Sequence, residues 1–280
     1  MRPLAIPAML PTNDGSKEPY TGMGRTRFSA LGPNASTPRS LPGRLVHEIG
    51  AKIVSGALAP GTVLPNESEW GAQLGVSRTV LREATKLLIS KGLVESRPKT
   101  GTRVREQAFW KLLDADVLSW HLSAAPLDRF VRELFELRRV VEPAVAALAA
   151  SRRSPQQIEE LEAAYQGMLA AGSDNHRFIE PDTRFHHTIL SAVDNGLLRA
   201  LGVVVETALA LTLRLSLDNP RGQSHSVPLH RAVLDAIRAG DAQTAEKAMR
   251  KLIDDAESDV TSALKIASAG TARPKRKVRK

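Results

Sequence analysis

Apolar residues recur at intervals of three and four along most of this chain, which is the spacing that places them on one face of an α-helix. In the first third of the chain this pattern predicts three short helices, and two β-prone runs follow them. The predicted helices cover 44–55, 66–74 and 77–91, and the β-prone runs are Leu93–Ser96 and Thr102–Arg105. The order of these elements predicts three helices followed by a hairpin.

The second and third predicted helices are separated by a tight break at Gly75-Val76-Ser77. Pro65 and Asn66 mark the beginning of the second helix, and Ser77 is a suitable N-cap for the third. Two short helices joined by a turn that contains glycine are typical of a helix-turn-helix. The hairpin would then be the wing of a winged helix-turn-helix domain over residues 41–108.

The third helix begins with side chains that suit contact with DNA. Residues at the N-terminal end of a recognition helix reach base edges, and arginine can donate two parallel hydrogen bonds to guanine. We therefore expect DNA contacts from Ser77, Arg78, Thr79 and Arg82, and from the hairpin tip at Lys99, Thr100 and Gly101. The alternative is an ordinary small α+β domain whose arginines are solvated.

From residue 127 onward the pattern predicts helices only, so the fold class is mainly α, with a C-terminal all-α bundle over 127–267. Pro181 should kink or divide one of these helices. A short helix at 114–122 lies in a predicted linker, 109–126. The predicted helices of the bundle cover 127–151, 155–171, 175–193, 197–217, 228–239 and 241–267, and the predicted disordered segments are a leader, 1–40, and a basic tail, 268–280.

Composition narrows the class of protein. The 280 residues are enough for two domains, and the absence of cysteine excludes disulfides and thiolate metal sites, which suits a cytoplasmic protein. No apolar run approaches the roughly 18 residues of a membrane span, so we expect no membrane partner. Residues 41–108 carry ten basic and six acidic residues, whereas 109–266 carry eighteen basic and twenty-two acidic ones. A positively charged first domain suits a polyanionic partner such as DNA.

Within the predicted bundle, three residues with metal-binding side chains fall on apolar faces. Asp182 and His186 are four residues apart and share a face with Ile189, and His230 shares a face with Val233. Two histidines and one carboxylate can hold zinc or another divalent metal. The alternative is that Asp182 and His186 hydrogen-bond each other and His230 bonds to a carbonyl group.

Arg138 lies on the apolar face of the predicted helix 127–151, with Glu142 one turn later. A buried guanidinium group needs a partner. That partner is either Glu142, in an internal salt bridge, or a ligand carboxylate bound in a fork geometry.

The N-terminal motifs resemble the winged helix of the GntR family of bacterial transcription regulators. The matching stretches are Leu64-Pro65-Asn66-Glu67, the run from Val76 to Ala84, and the run from Gly92 to Val104. Ser68 is a departure, because the family usually has an arginine there that can touch DNA.

The helical half is similar to the ligand-binding FCD domain of the FadR branch of that family. The similarity covers Glu136-Leu137-Arg138 with Glu142, the run from Asp182 through Arg184 to His186, then Asn195 and His230. It implies a metal at Asp182, His186 and His230, and an effector at Arg138, Glu142, Arg184 and Asn195. The family's fourth metal ligand would fall at position 252, where this chain has leucine. His225 is a conceivable substitute, but Pro228 places it before the beginning of the predicted helix 228–239.

Two short segments, Trp110–Trp120 and Val141–Ala144, also resemble repressors of galactonate operons in this branch. The resemblance implies a cytoplasmic homodimer that binds a palindromic double-stranded operator and responds to a small carboxylate effector, a sugar acid such as galactonate, at a zinc-assisted site. Two alternatives remain open at this point. One is a metal-dependent enzyme with a two-His-one-carboxylate site, and the other is a nucleoid-type architectural protein.

Overall fold

The computed structural model describes residues 40–98, 100–124, 127–216 and 222–271, with backbone alone for 213–216, 222–224 and 267–271. Its chain divides into two compact units, and the division falls after Trp120. Most of the predicted leader, Lys99 and the tail beyond Thr271 lie outside the described residues. No helix in the described ranges is both long enough and apolar enough to cross a membrane.

The first unit contains the predicted helix-turn-helix and wing. The Asn66 side chain accepts hydrogen bonds from the backbone N–H groups of Ser68 and Glu69, and Gly75 ends that helix with φ 65°. The elements are α1 Leu41–Val54, α2 Glu67–Leu74, α3 Arg78–Ser90, β1 Val94–Arg97 and β2 Gly101–Val104, then a 3₁₀ turn at Gln107–Phe109 and α4 Ala115–Ser123, which continues past the division.

The wing is an antiparallel hairpin in which Val94 faces Val104. Val63 forms a bridge to Arg103, so a third extended segment lies beside β2, which the hydrophobic pattern did not predict. The helix predicted in the linker is present as α4, and its Val117 and Trp120 lie in the hydrophobic core of the first unit.

The second unit is an all-α bundle, as predicted. Its longest helices pack together, α5 against α11, and α6 packs against α7. The Ser154 side chain caps α6 in a capping box with Gln157. The helices are α5 Asp128–Arg152, α6 Pro155–Ala171, α7 Asn175–Ser191, α8 Gly196–Ala200, α9 Gly202–Ser216, α10 Gly222–Ala239 and α11 Ala242–Thr271.

Several predicted helix limits were wrong. Of the two effects expected of Pro181, a kink or a division, the division is absent, because α7 runs from Asn175 to Ser191 through the proline. Here the ring of Pro181 lies against Gly167 of α6, where a Cβ atom would be 2.9 Å from the Pro181 Cγ. Likewise, α10 continues through Pro228 and begins at Gly222.

Two other limits also differ from the prediction. The predicted helix 197–217 is divided at Leu201 into α8 and α9, although its apolar face is continuous in the sequence. The last helix, α11, continues to Thr271, so residues 268–271 are helical and do not belong to a disordered tail.

The two glycines Gly56 and Gly92 give a matched test of packing in the first unit. Both have positive φ, 81° and 76°, but a Cβ atom has open space at Gly56 and would lie 2.2 Å from the Phe109 carbonyl oxygen at Gly92. We expect Gly56→Ala to reduce the free energy of unfolding by about 1–2 kcal/mol, from backbone strain alone. Gly92→Ala should cost roughly 1–3 kcal/mol more, because of the clash.

Urea unfolding of the two variants beside the unsubstituted protein measures this difference. Equal losses of stability in both variants would show that the contact with Phe109 does not constrain position 92.

Candidate functional site

The exposed end of α3 forms the candidate DNA-binding surface. Ser77, Arg78, Thr79 and Arg82 are exposed there, whereas Leu81, Ala84 and Leu88 are buried on the opposite face. The Ser77 side chain accepts a hydrogen bond from the backbone N–H of Val80, so this residue caps the helix. At the wing, Thr100 and Gly101 are exposed beside Lys99, which is outside the described residues.

Ser68 lies next to this surface and has a contact that the sequence did not predict. Its hydroxyl oxygen accepts a hydrogen bond from the Nη2 of Arg78 at 2.8 Å. The residue that departs from the family pattern therefore contacts the first arginine of the recognition helix.

In the second unit, five polar side chains from three helices meet in the apolar core. Arg138 and Glu142 are one turn apart on α5, Asp182 and His186 are one turn apart on α7, and His230 is on α10. Each of the five has at most 8 % of its surface exposed. Charged groups are rarely buried without partners, so their mutual contacts determine what the cluster can do.

Asp182 is the point at which both imidazoles converge. The Nε2 atom of His230 lies 2.9 Å from its Oδ1, and the Nε2 atom of His186 lies 3.6 Å from the same oxygen. The three candidate ligand atoms all lie within 4.8 Å of one another. Of the alternative to a metal site, the hydrogen bond between Asp182 and His186 is absent, because 3.6 Å is too long. The contact of His230 with a backbone carbonyl, that of Ser226, is present, and His230 also bonds to Asp182.

The second nitrogen of each imidazole has its own acceptor. His186 Nδ1 lies 2.9 Å from the Glu142 carboxylate, and His230 Nδ1 lies 2.9 Å from the backbone carbonyl of Ser226. An acceptor opposite Nδ1 favours the tautomer in which Nδ1 carries the hydrogen and the Nε2 lone pair is free. Without a cation, the hydrogen bond to Asp182 needs a hydrogen on the Nε2 of His230. A cation that displaced this hydrogen would have the Nε2 lone pairs of both imidazoles and the Asp182 carboxylate directed at it.

Arg138 pairs with Glu142 as the salt-bridge alternative predicted, with the Nε donating to Oε1 at 2.5 Å. Its Nη1, however, is buried and has no hydrogen-bond partner among the described residues. Burial alone would raise the pKa of Glu142, but the charge of Arg138 and the contact with His186 lower that pKa to about 2. Burial likewise opposes ionisation of Asp182, and its hydrogen bond with His230 nevertheless holds its pKa below the usual value.

A cavity that is open to solvent lies beside the cluster. Arg138, Asp182, His186 and His230 line it, and so does Leu252, where the resemblance placed a fourth metal ligand. Its other walls combine apolar residues, such as Phe178, Ile179 and Leu209, with polar ones that include Asp255 and Asp259. The cavity is therefore a mixed pocket with a polar, buried end.

The structure does not bring all the predicted effector residues to this cavity. Arg184 is exposed and forms an ion pair with Glu180, and Asn195 is exposed and caps α8 through its side chain. Glu142 contacts Arg138 and His186 without lining the cavity. Among the effector residues named by the resemblance, Arg138 is the one that lines it.

Sequence reasoning missed two acids of α11, Asp255 and Asp259, which line the same cavity and are partly exposed. The signal was available, because both lie on the helical face of Leu252, three and seven residues further on. His225, the conceivable fourth metal ligand, is in α10 but has its Nε2 2.9 Å from Asp255 and is not part of the metal-binding cluster.

Comparisons with known proteins agree with these two units. Residues 41–104 match the bacterial regulatory proteins of the gntR family, and residues 133–255 match the FCD domain. The chain is 33 % identical over 211 residues to the galactonate operon transcriptional repressor of Escherichia coli K12. That match covers 75 % of this chain and 92 % of the repressor. It is 32 % identical over 218 residues to the HTH-type transcriptional regulator YieP of the same organism, with 75 % and 90 % covered.

A solved structure, that of Lar, which controls expression of the Listeria monocytogenes agr system, has the same fold. It has a TM-score of 0.57 and 18 % identity, and the match covers 80 % of this chain and 98 % of Lar. The relatives are transcription regulators, so the interpretation as a metal-dependent enzyme was wrong. The chain belongs to the GntR family of bacterial regulatory proteins, with an FCD domain, and is a DNA-binding transcription regulator.

Proposed function

We propose that this regulator is a homodimeric repressor of sugar-acid catabolism, released from a palindromic operator by a small carboxylate effector at a metal-assisted site. The observation that carries the proposal is buried Arg138, which lines one cavity together with Asp182, His186 and His230. Its Nη1 has no hydrogen-bond partner among the residues that the structure describes. The similarity to the galactonate operon repressor supports a sugar acid as the effector.

The proposed DNA contacts follow from the exposure of the α3 N-terminus. One recognition helix reaches only a few base pairs, so two helices related by a twofold axis, on a palindromic operator, are expected. Arg78 and Arg82 are the proposed base-reading residues, with Ser77 and Thr79 on phosphates. We propose that Lys99, Thr100 and Gly101, at the wing, contact the phosphate backbone of the DNA.

The donor set of the buried cluster suits a divalent metal. Two imidazole nitrogens and a carboxylate oxygen are ligands that zinc accepts, and each imidazole has the outer hydrogen bond that orients metal-binding histidines. Leu252, in the wall of the same cavity, supplies no ligand atom, so a coordination position would stay open. A bound divalent metal would supply a Lewis acid able to accept a carboxylate oxygen and an adjacent hydroxyl oxygen.

The charges of the cluster support a singly charged carboxylate effector. Arg138 carries one positive charge, and Glu142 and Asp182 carry two negative charges. With neutral imidazoles and a divalent ion, the buried end of the cavity would have a net charge of +1. One ligand carboxylate neutralises that charge and gives Arg138 Nη1 its acceptor. The effector can shift operator binding only if it prefers one arrangement of the dimer.

Substitution of Arg78 tests the base-reading role. We expect Arg78→Ala to weaken operator binding by about 1–3 kcal/mol, most of it as lost discrimination against random DNA, because a bidentate contact to a base is removed. Lys99→Ala should instead weaken binding to both DNAs equally and reduce the salt dependence. Binding isotherms on a fragment from upstream of its own gene and on random DNA, at several salt concentrations, separate the two. Equal losses on both DNAs with Arg78→Ala would make Arg78 a phosphate contact.

Substitution of the histidines tests the metal site. His186→Ala and His230→Ala should each reduce zinc affinity on the order of tenfold or more, since even outer contacts of metal ligands contribute that much. Operator binding should persist, because the DNA-binding residues are in the other unit. His225→Ala is the matched control, an exposed histidine of the same helix as His230 outside the cluster. Leu252→His should increase affinity by adding a fourth ligand.

Zinc titration calorimetry and elemental analysis measure these affinities. Purified protein that neither contains nor binds a divalent metal would contradict the metal proposal.

A ligand series tests the effector class. Galactonate should release a preformed operator complex, whereas galactose should not, because a neutral sugar has no carboxylate to accept a hydrogen bond from the Arg138 Nη1. Gluconate tests stereochemistry, and lactate tests whether a 2-hydroxy carboxylate is enough. Fluorescence anisotropy of labelled operator follows the release. If galactose is as effective as galactonate, the carboxylate is not what the site recognises.

A further inference from the structure

The cavity of the second unit has two chemically different parts. At its closed end, Arg138, Asp182, His186 and His230 are buried, with at most 8 % of each residue exposed. In its more open wall, Asp255 and Asp259 are partly exposed and stand one turn apart on α11. A ligand anchored at the closed end and long enough to leave it would therefore meet two carboxylates.

Nearby cations among the described residues balance the negative charges of the two acids only in part. Asp255 contacts His225, whose Nε2 is 2.9 Å from its Oδ1 and whose side chain is 65 % exposed. Asp259 forms no salt bridge with any residue that the structure describes, and burial together with the charge of Asp255 raises its pKa. Two carboxylates on one helical face repel each other and repel any further anion placed beside them.

An independent observation points to a carboxylate ligand for this cavity. Arg138 lines it, is 3 % exposed, and has an Nη1 with no partner among the described residues. A buried donor without an acceptor is costly, and a ligand carboxylate would satisfy it. Such a ligand would place its anionic end at Arg138, which leaves its other end for the wall of α11.

We infer that Asp255 and Asp259 form a selectivity pair that accepts hydrogen bonds from the distal end of the effector and rejects a second carboxylate there. This inference rests on the proposed function, since the carboxylate at Arg138 fixes the orientation of the ligand. An ionised carboxylate is an acceptor only, so the distal end must carry donors such as hydroxyl groups. The effector class is then a monocarboxylate polyol, and the dicarboxylate of the same chain is excluded.

Galactonate and galactarate form a matched pair of probes, because they differ only in a terminal hydroxymethyl group or carboxylate. We expect the unsubstituted protein to bind galactonate more tightly than galactarate by a factor on the order of ten or more, since bringing like charges together opposes binding. Asp259→Asn, and Asp255→Asn with it, should reduce this ratio several-fold. Galactonate affinity should change little, because the amide oxygen still accepts a hydrogen bond.

Asp254→Asn is the control variant. It removes the same charge from the adjacent position of α11, but Asp254 pairs with Arg139 and does not line the cavity, and Arg139 keeps Glu257 as a partner. Its ratio of affinities should equal that of the unsubstituted protein. Calorimetric titration of zinc-loaded, full-length protein with each ligand gives all the ratios, and circular dichroism verifies that the variants are folded.

The outcomes separate this inference from the proposed function. If galactonate and galactarate bind the unsubstituted protein equally, or if Asp259→Asn and Asp254→Asn change the ratio alike, the selectivity pair is contradicted while the carboxylate site stands. If neither ligand binds any of the proteins, both the sugar-acid proposal and the selectivity pair are contradicted.

Discussion

Burial of charge in the second unit is the constraint from which most of its chemistry follows. Five ionisable side chains lie in a core that is mostly apolar, and each one contacts another of the five. Asp182 is shared by the Nε2 atoms of two histidines, and Glu142 is shared by Arg138 and His186. Because these contacts join α5, α7 and α10, the packing of three helices and the geometry of the cluster are fixed together.

The hydrogen bonds within that cluster leave some of its polar atoms available to a ligand. Glu142 accepts a hydrogen bond from the Nε of Arg138, whereas the Nη1 of Arg138 has no acceptor among the described residues. The imidazoles turn their Nδ1 atoms to fixed acceptors and their Nε2 atoms to one carboxylate. A cation and a small anion would complete both sets of contacts, which is the physical reason for proposing a metal-assisted carboxylate site.

The first unit shows the opposite arrangement, in which the polar residues are exposed and the apolar face is buried. Leu81, Ala84 and Leu88 attach α3 to the core and leave its N-terminal end exposed. Ser68 accepts a hydrogen bond from Arg78, so the residue that departs from the family pattern lies beside the candidate base-reading surface. The helix-turn-helix therefore presents its arginines without burying any of them.

The sequence by itself determined the fold class, the helix-turn-helix, the wing and the three metal-ligand candidates, because these depend on local signals. Helical period, N-caps and turn glycines act within a few residues. The helical period also places Asp255 and Asp259 on the face of Leu252. Only the tertiary structure decided that this face lines the cavity of Arg138, that α10 runs through Pro228 and that Leu201 divides α8 from α9. Those features depend on contacts between helices far apart in the chain, and the spacing of residues within one helix does not predict such contacts.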